Sequence, residues 1–443
     1  MRYVIIGNSA AAVGAIEAIR QHDAENPITV ISDETHHVYS RPLVCHLLGE
    51  LVDEDRMYYR PLDFYEQHQV EPMLGVRATG IDTQAKAVSL AGGGTVSYDQ
   101  LLLAVGGKPF VPPVEGIDLD GVFTFTKWED AQKIDRYIKD NDVRSVLIVG
   151  GGLIGMKAVK ALMARGLRLT VVELADRILS TSFDHTASKL AESILRRAGA
   201  EVITNTTVKE IVGKDDGSGR GQAIDHAVLQ DGEKVDCDLV IFGIGVRPNL
   251  DLILPEPERQ TGIKVNRGIV VDAHMRTSVP DVYAAGDCVE TYDMILEVER
   301  PIAIWPHATR QGHVAGCNMA GVEKTYAGGF PMNSEDIAGV PTIAVGLTDL
   351  EGQVPSESQN EYEIIEKYDR AALTYKRLVL HHNRLVGAIC VGDIDRAGIY
   401  TGLIRDQVDV TPFKEHLLSG SFGLISLPKE YRKHMVVGEG IIV

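Results

Sequence analysis

The residues whose types and spacing could do chemistry are glycines followed, roughly 20 residues later, by a carboxylate. Gly150-Gly151-Gly152-Leu153-Ile154-Gly155 fits G-x-G-x-x-G, and Glu173 follows it. Such a loop cradles a pyrophosphate. The first Gly makes the tight turn, the second lets backbone approach the phosphates, and the third lets helix pack on strand. The acid then meets a ribose hydroxyl. Gly7-Asn8-Ser9-Ala10-Ala11-Ala12, with Asp33 and Glu34 behind it, repeats the plan 143 residues earlier (150 minus 7). Ser9 and Ala12 stand for the second and third Gly. Ala is accepted at the third place, and Ser still permits close backbone approach. A lone Gly-rich loop is often just a turn, so the paired copies carry the reading. The chemistry they imply is the binding of two dinucleotides on one chain.

Each loop needs a strand before it and a helix after it. Val146–Val149 and Tyr3–Ile6 are apolar runs short enough for buried parallel strands. Helical spacing follows at Ile154, Ala158, Ala161 and Leu162, and at Val13, Ile16 and Ile19. Second strands, 169–172 and 28–31, lead to the acids. The helix N-termini offer free N–H groups and the positive end of the dipole to a pyrophosphate. Tyr39–Glu50 reads as a turn into a short helix. Residues 75–104 read as strands and hairpins, and 109–113 as a Pro-rich crossover. A helix is expected over 129–140 and another over 184–198, with a strand at 201–204. A Gly-rich hairpin tip is expected over 213–221, and a hairpin turning at Asp231-Gly232. Residues 262–287 read as strands ending in VYAAGD, and 307–318 as a helix opened by Pro306. The last ~115 residues, from Thr325, read as strands followed by a polar helix, as in an α+β domain.

A net charge of −18 argues against nucleic acid or an anionic membrane as partner. A hydrophobic share of 44% with 24% charged residues is that of a soluble globular chain. The five cysteines are widely spaced, form no C-x-x-C, and suit a reducing compartment. The first strand begins at Tyr3, leaving no room for a signal peptide, and no apolar run is long enough to span a membrane. The expected compartment is the cytoplasm. His36-His37 and His381-His382 are read as solvated pairs on loops, and no metal site is expected.

The two units, VGG at 105–107, GIGVRP at 243–248 and AAGD at 284–287 together resemble the flavoprotein superfamily of two-dinucleotide pyridine nucleotide oxidoreductases. YSRPL at 39–43 and the helix QGHVAGCNMAG at 311–321 are most similar to its ferredoxin/rubredoxin reductase and nitrite reductase flavodomain branch. The resemblance implies an α/β fold with two Rossmann-like domains and a C-terminal α+β interface domain. The FAD domain would comprise 1–113 and 249–324, the inserted NAD(P) domain 114–248, and the interface domain 325–443. FAD would then contact Gly7, Ser9, Ala10, Ala11 and Ala12 at the pyrophosphate and Asp33 or Glu34 at the ribose. Arg41 and Ala78 would lie near the adenylate half, and Ala104 and Gly106 at the VGG strand end. Gly286 and Asp287 would meet the ribityl chain, and the helix starting near Ala308 would face the flavin's pyrimidine end. NAD would contact Gly150, Gly152, Leu153, Ile154, Gly155, Glu173 and Gly245.

Two departures from the branch matter. Disulfide-reducing members carry a redox cysteine on the segment that here holds Arg41-Pro42-Leu43, while Cys45 matches a Ser of the Arg-Pro branch. Related enzymes also pair a Lys at the position of His46 with a Glu at that of Lys157. Here the acid is missing, so Lys157 is expected to be an unpaired cation beside the flavin that raises its potential. His46 and Lys157 are the candidate catalytic residues. The implied function is an FAD-dependent NADH oxidoreductase exchanging electrons with an iron–sulfur protein or subunit, with NADH preferred over NADPH. It could serve as the flavin subunit of a larger complex, such as a tungsten/molybdenum aldehyde oxidoreductase, or as a homodimer. The rivals are an NADH oxidase or peroxidase, and a non-turnover redox-sensing or scaffold flavoprotein.

Overall fold

The computed structural model describes residues 1–214, 223–254, 261–423 and 426–427. It divides into two compact units. The first comprises Met1–Phe110, Thr126–Ala131 and Gly245–Phe330; the second comprises Val111–Phe125, Gln132–Ile244 and the chain from Pro331.

The first unit is built on a five-stranded parallel sheet. Its order is Val282–Ala284, Gln100–Leu103, Tyr3–Ile6, Ile28–Ser32, Val70–Leu74. Successive side chains of a strand point to opposite faces. Tyr3 and Ile5 accordingly pack with Ala12, Val13, Ile16 and Ile19 of the helix Ala10–His22. Val4 and Ile6 pack on the other face with Leu101, Leu103 and Val282. Both faces are buried at the central strands, so Tyr3–Ile6 and Gln100–Leu103 are almost wholly apolar, while the edge strand Val70–Leu74 exposes Glu71 and Pro72. A three-stranded antiparallel sheet, Ala78–Asp82, Ala87–Leu90 and Thr95–Ser97, covers the second face through Ile81 and Val88.

On the first face the helix Trp305–Met319 lies against Ala10–His22 at very short range. A Cβ on Gly312 would stand 2.0 Å from the Ala11 carbonyl oxygen, and one on Gly316 2.5 Å from that of Ala15. Glycine is required at both because the two backbones touch there. The strand content expected over 262–287 is smaller than the sequence suggests. Ile269–Val270 and Val282–Ala284 are the strands there among the described residues. Gly262, Gly268 and Pro280 break the run, since Gly and Pro disfavour strand interiors.

The second unit repeats the parallel plan. Its order is Glu201–Thr204, Arg168–Glu173, Ser145–Val149, Leu239–Phe242, Val122–Thr124. The helices Leu153–Ala164 and His185–Arg197 belong to it, the latter capped by Asp184, which accepts from Ala187 N. An antiparallel sheet, Val208–Gly213, Ile224–Leu229 and Lys234–Asp236, closes one face over Leu147, Val172 and Val240. Most of the expected tip at 213–221 falls outside the described residues.

Packed in the same unit is a five-stranded antiparallel sheet. Its order is Met332–Ile337, Val340–Gly346, Arg384–Val391, Thr374–His381, Tyr362–Asp369. The helix beside it, Ala397–Arg405, is not polar as expected: it buries Ala397, Tyr400, Leu403 and Ile404. Thr401 and Arg405 are its polar residues, and the apolar remainder, AGIY and GLI, supplies the buried face. The division into three domains remains a proposal.

Candidate cofactor-binding site

In the first unit the strand Tyr3–Ile6 ends in Gly7, at φ +115°, where a Cβ would lie 2.1 Å from the Ala104 carbonyl oxygen. Glycine is the residue that fits, and Gly7 and Ala104 are thereby brought together. The helix then starts at Ala10 with Ser9 as N-cap, and the Ser9 side chain makes no capping hydrogen bond. Its first N–H groups have no acceptor within the helix and no cap, which leaves them for an anion. Ser9 Oγ instead accepts from Arg41 Nε at 3.4 Å.

Arg41 opens the one-turn helix Arg41–Leu43 and joins several of the expected residues. It donates to Glu34 at 2.5 Å and to the Thr126 carbonyl at 3.3 Å. The Tyr39 hydroxyl donates to the other Glu34 oxygen at 2.6 Å, and Lys127 lies 3.6 Å from both Asp33 and Glu34. Burial pushes the Glu34 carboxyl up, but Arg41, Tyr39 and Lys127 outweigh it and hold it below its ordinary value. Of the two candidate ribose acids, then, Glu34 is turned inward onto Arg41 while Asp33 is exposed.

Gly286 and Asp287 follow the strand Val282–Ala284. Gly286 N donates to Gln311 at 2.8 Å, and its Cα faces Ala11 and Ala308. Asp287 is pushed above the ordinary carboxylate value by burial, with Arg41 pulling the other way. Gly7, Ser9–Ala12, Glu34, Arg41, Ala104, Gly286, Asp287 and Ala308 therefore form one constellation. Gly106 lies just beyond it, accepting from Asn249 N at 2.9 Å. Gly245 accepts from Phe110 N at 3.0 Å, also in this unit. Ala78 packs on the core of the opposite sheet face.

Sequence reasoning gives Gln311, Lys127 and His307 no side-chain role, although His307 is expected to start the helix that faces the flavin. His307 is buried at the start of the helix Trp305–Met319. Its Nε2 lies 2.9 Å from the Phe330 carbonyl oxygen and its Nδ1 3.0 Å from the Tyr326 hydroxyl. Burial lowers its pKa, so the ring is a neutral latch on that helix end. Lys127 carries no local signal, because its partners lie far away in sequence. The reading of His36 and His37 as solvated is corrected. His36 stacks on Trp128 at 4.3 Å, and His37 packs on Tyr65 at 4.6 Å.

The second unit shows the same construction. A Cβ on Gly150 (φ +108°) would lie 2.7 Å from the Gly243 oxygen, and one on Gly155 1.9 Å from the Gly150 oxygen. A Cβ on Gly152 would meet nothing within 4 Å. Nothing in the protein's own packing therefore asks for glycine at 152, which fits a loop shaped for a ligand. Gly152 also caps the helix Leu153–Ala164 without a side chain, leaving the N–H groups of Leu153 and Ile154 at an open terminus. Glu173 accepts from Gly151 N at 2.6 Å and Ala175 N at 2.8 Å, so it is fixed against the loop. Both sets of residues fit the dinucleotides the sequence implies.

The expectation of an unpaired Lys157 is overturned. Its Nζ lies 3.4 Å from Glu335 of the antiparallel sheet, whose side chain is 12% exposed. The missing acid of the helix is replaced by one from a strand 178 residues on (335 minus 157). His46 belongs to the first unit, with Nδ1 3.3 Å from the Sγ of Cys45. Cys45 is buried, and its thiol donates to the Pro42 carbonyl at 3.4 Å.

Residues 1–312 match the family model described as pyridine nucleotide-disulphide oxidoreductase. Residues 351–408 match the rubredoxin NAD+ reductase C-terminal domain. The chain is 32% identical over 357 residues to an NADH oxidase of Methanocaldococcus jannaschii, covering 79% of this chain and 76% of that one. It is 30% identical over 423 residues to the epsilon subunit of the NADH-dependent phenylglyoxylate dehydrogenase of Aromatoleum evansii, covering 94% of each. Among solved structures it resembles the covalent putidaredoxin reductase–putidaredoxin complex. The TM-score is 0.80 at 25% identity, over 92% of this chain and 94% of that one.

Proposed function

Because the chain belongs to the pyridine nucleotide-disulphide oxidoreductase family, and so is an oxidoreductase working with FAD and NAD(H), we propose that it passes electrons between NADH and an iron–sulfur protein or subunit. The observation that carries this is the turn Arg41–Leu43. It holds Arg-Pro where disulfide-reducing members place a redox cysteine, and the nearby Cys45 thiol is buried and spent on Pro42. With no dithiol at that place, electrons would leave by an external carrier. The match to a rubredoxin reductase C-terminal domain supports such a carrier. The end-to-end likeness to a chain named as a subunit supports a partner that holds the cluster. Among the described residues no helix is long and apolar enough to cross a membrane. We read the cytoplasm as the place of action.

Bound FAD supplies hydride acceptance and one-electron release. The chain's part is positioning. The uncapped helix ends at Ala10 and Leu153 would hold the pyrophosphates, Asp33 and Glu173 would offer carboxylates to ribose, and Asp287 would meet the ribityl chain. Arg41, held by Glu34, fixes the first loop through Ser9. The oxidase-like relative favours a second reading, in which dioxygen is the acceptor. Steady-state NADH oxidation tests the two. Reduction of a one-electron dye should run well ahead of oxygen consumption. Oxygen uptake that matches NADH loss, with no gain from dye, would select the oxidase.

A further inference from the structure

The antiparallel sheet of the second unit carries a donor group that the dinucleotide chemistry does not use. Thr374–His381 and Arg384–Val391 are joined by His382-Asn383, at φ +48° and +60°. Two residues with positive φ between antiparallel strands make a type I′ hairpin, whose twist matches the strands. His and Asn are among the residues that enter this region most readily. Asn383 also accepts from Val410 N at 2.9 Å, which pins the turn.

The hairpin fixes where the two imidazoles can reach. His381 is the cross-strand partner of Tyr362, and the two rings stack at 4.4 Å and 13°. The His382 ring follows, 4.0 Å from that of His381 and tilted by 33°. Glu361 ends the helical turn Ser356–Glu361 just before Tyr362, so it enters from the neighbouring strand. Its Oε2 lies 3.7 Å from His381 Nε2. One nitrogen from each histidine and one oxygen of Glu361 all lie within 4.8 Å of one another. A simple Glu–His ion pair accounts for two of these groups but not for the third beside them.

We propose that Glu361, His381 and His382 form a binding site for a divalent metal of the Zn2+ class. Two imidazole nitrogens and one carboxylate oxygen are a set of three protein ligands that Zn2+ takes, leaving a fourth position for water. Bonds of about 2.0–2.1 Å to a tetrahedral ion place ligand atoms about 3.3 Å apart. The 3.7 Å separation therefore closes by a small rotation of the exposed Glu361 side chain. Imidazole disfavours Mg2+ and Ca2+, which take oxygen donors. The ion would tie the turn at Glu361 to the hairpin tip and brace the edge strand Tyr362–Asp369.

The test uses the full, FAD-loaded chain without a histidine tag, stripped by chelator and then titrated with Zn2+ against a chromophoric chelator. One equivalent should bind, millimolar Mg2+ should not compete, and Co2+ should give visible d–d bands at the same stoichiometry. His382→Asn keeps a residue at home in the turn, and Glu361→Gln keeps the side-chain shape. Each should weaken binding by about tenfold or more, since even supporting partners at such sites are worth that much. Flavin absorbance and NADH turnover, unchanged in both variants, confirm that the fold is intact. Less than one equivalent bound by the native chain, or binding undiminished in both variants, overturns the site.

Discussion

At the scale of single residues, partners distant in sequence set the charges. Arg177 stands four residues beyond Glu173, where a free guanidinium would welcome the 2′-phosphate of NADPH. It is not free: Asp349 and Asp176 each hold it at 2.9 Å, and its side chain is 12% exposed. This supports NADH as the preferred donor. Asp349→Asn should raise the kcat/KM ratio of NADPH to NADH by about three- to tenfold, the worth of roughly one kcal/mol. Adding Arg177→Ala should reverse the gain; an unmoved ratio would remove Arg177 from the reading of the phosphate. Glu335 gives a pH prediction. Burial pushes its carboxyl above the ordinary 4.5, with Lys157 pulling it down. A carboxyl raised on folding holds its proton more tightly folded than unfolded. Stability is then greatest below the ordinary value and falls as pH rises through the folded one. From pH 4.5 upward the melting temperature of the native chain should fall relative to that of Glu335→Gln. Lys157→Met should fall further still, and parallel curves for all three would refute the account. With Glu335 facing Lys157, the flavin potential should change little in Lys157→Met.

At the scale of elements, two glycines separate packing from ligand binding. Gly312 lets the helix Trp305–Met319 touch Ala10–His22. Its replacement by Ala must push Cβ against the Ala11 carbonyl, 2.0 Å away. Overpacking of this kind costs about 1–3 kcal/mol. Because both helices begin at the FAD constellation, Gly312→Ala should lower the melting temperature and loosen FAD together. Gly152→Ala meets no protein atom within 4 Å. Its melting temperature should match the native one, a change within about 0.5 kcal/mol, while the KM for NADH rises. Destabilisation by Gly152→Ala, or unaltered NADH kinetics, would show that the loop is not shaped by its ligand.

At the scale of the whole molecule, each glycine loop and its acid are drawn from one compact unit, while Gly245, expected at NAD, falls in the first unit. Hydrogen exchange should therefore resolve two footprints. FAD should slow exchange at residues 7–12, 34–41 and 286–308, and NAD at 150–155 and 173–177. Binding adds RT ln(1 + [L]/Kd) to the unit that holds the ligand. Protection by FAD confined to 150–177 would reverse the assignment of the two sites. The charge of −18 acts at this scale too. It serves solubility, and it is compatible with a partner whose docking face is basic, through steering that salt weakens.

The sequence by itself determined the two nucleotide units. Their signals are local: a buried strand, a glycine turn and a helix start lie within a few residues, and the acid follows one helix later. Sheet order within each unit was decided by the tertiary structure, because parallel strands buried on both faces read alike as apolar runs and carry no mark of their neighbours. Side-chain pairing was decided by the tertiary structure alone. Arg177 and Asp349 are 172 residues apart, and Lys157 finds Glu335 across an element with a different periodicity. The His381-His382 pair gained its meaning only when strand register brought Glu361 beside it. An ion pair depends on where two side chains end in space, and no local pattern encodes that for residues joined only through the fold.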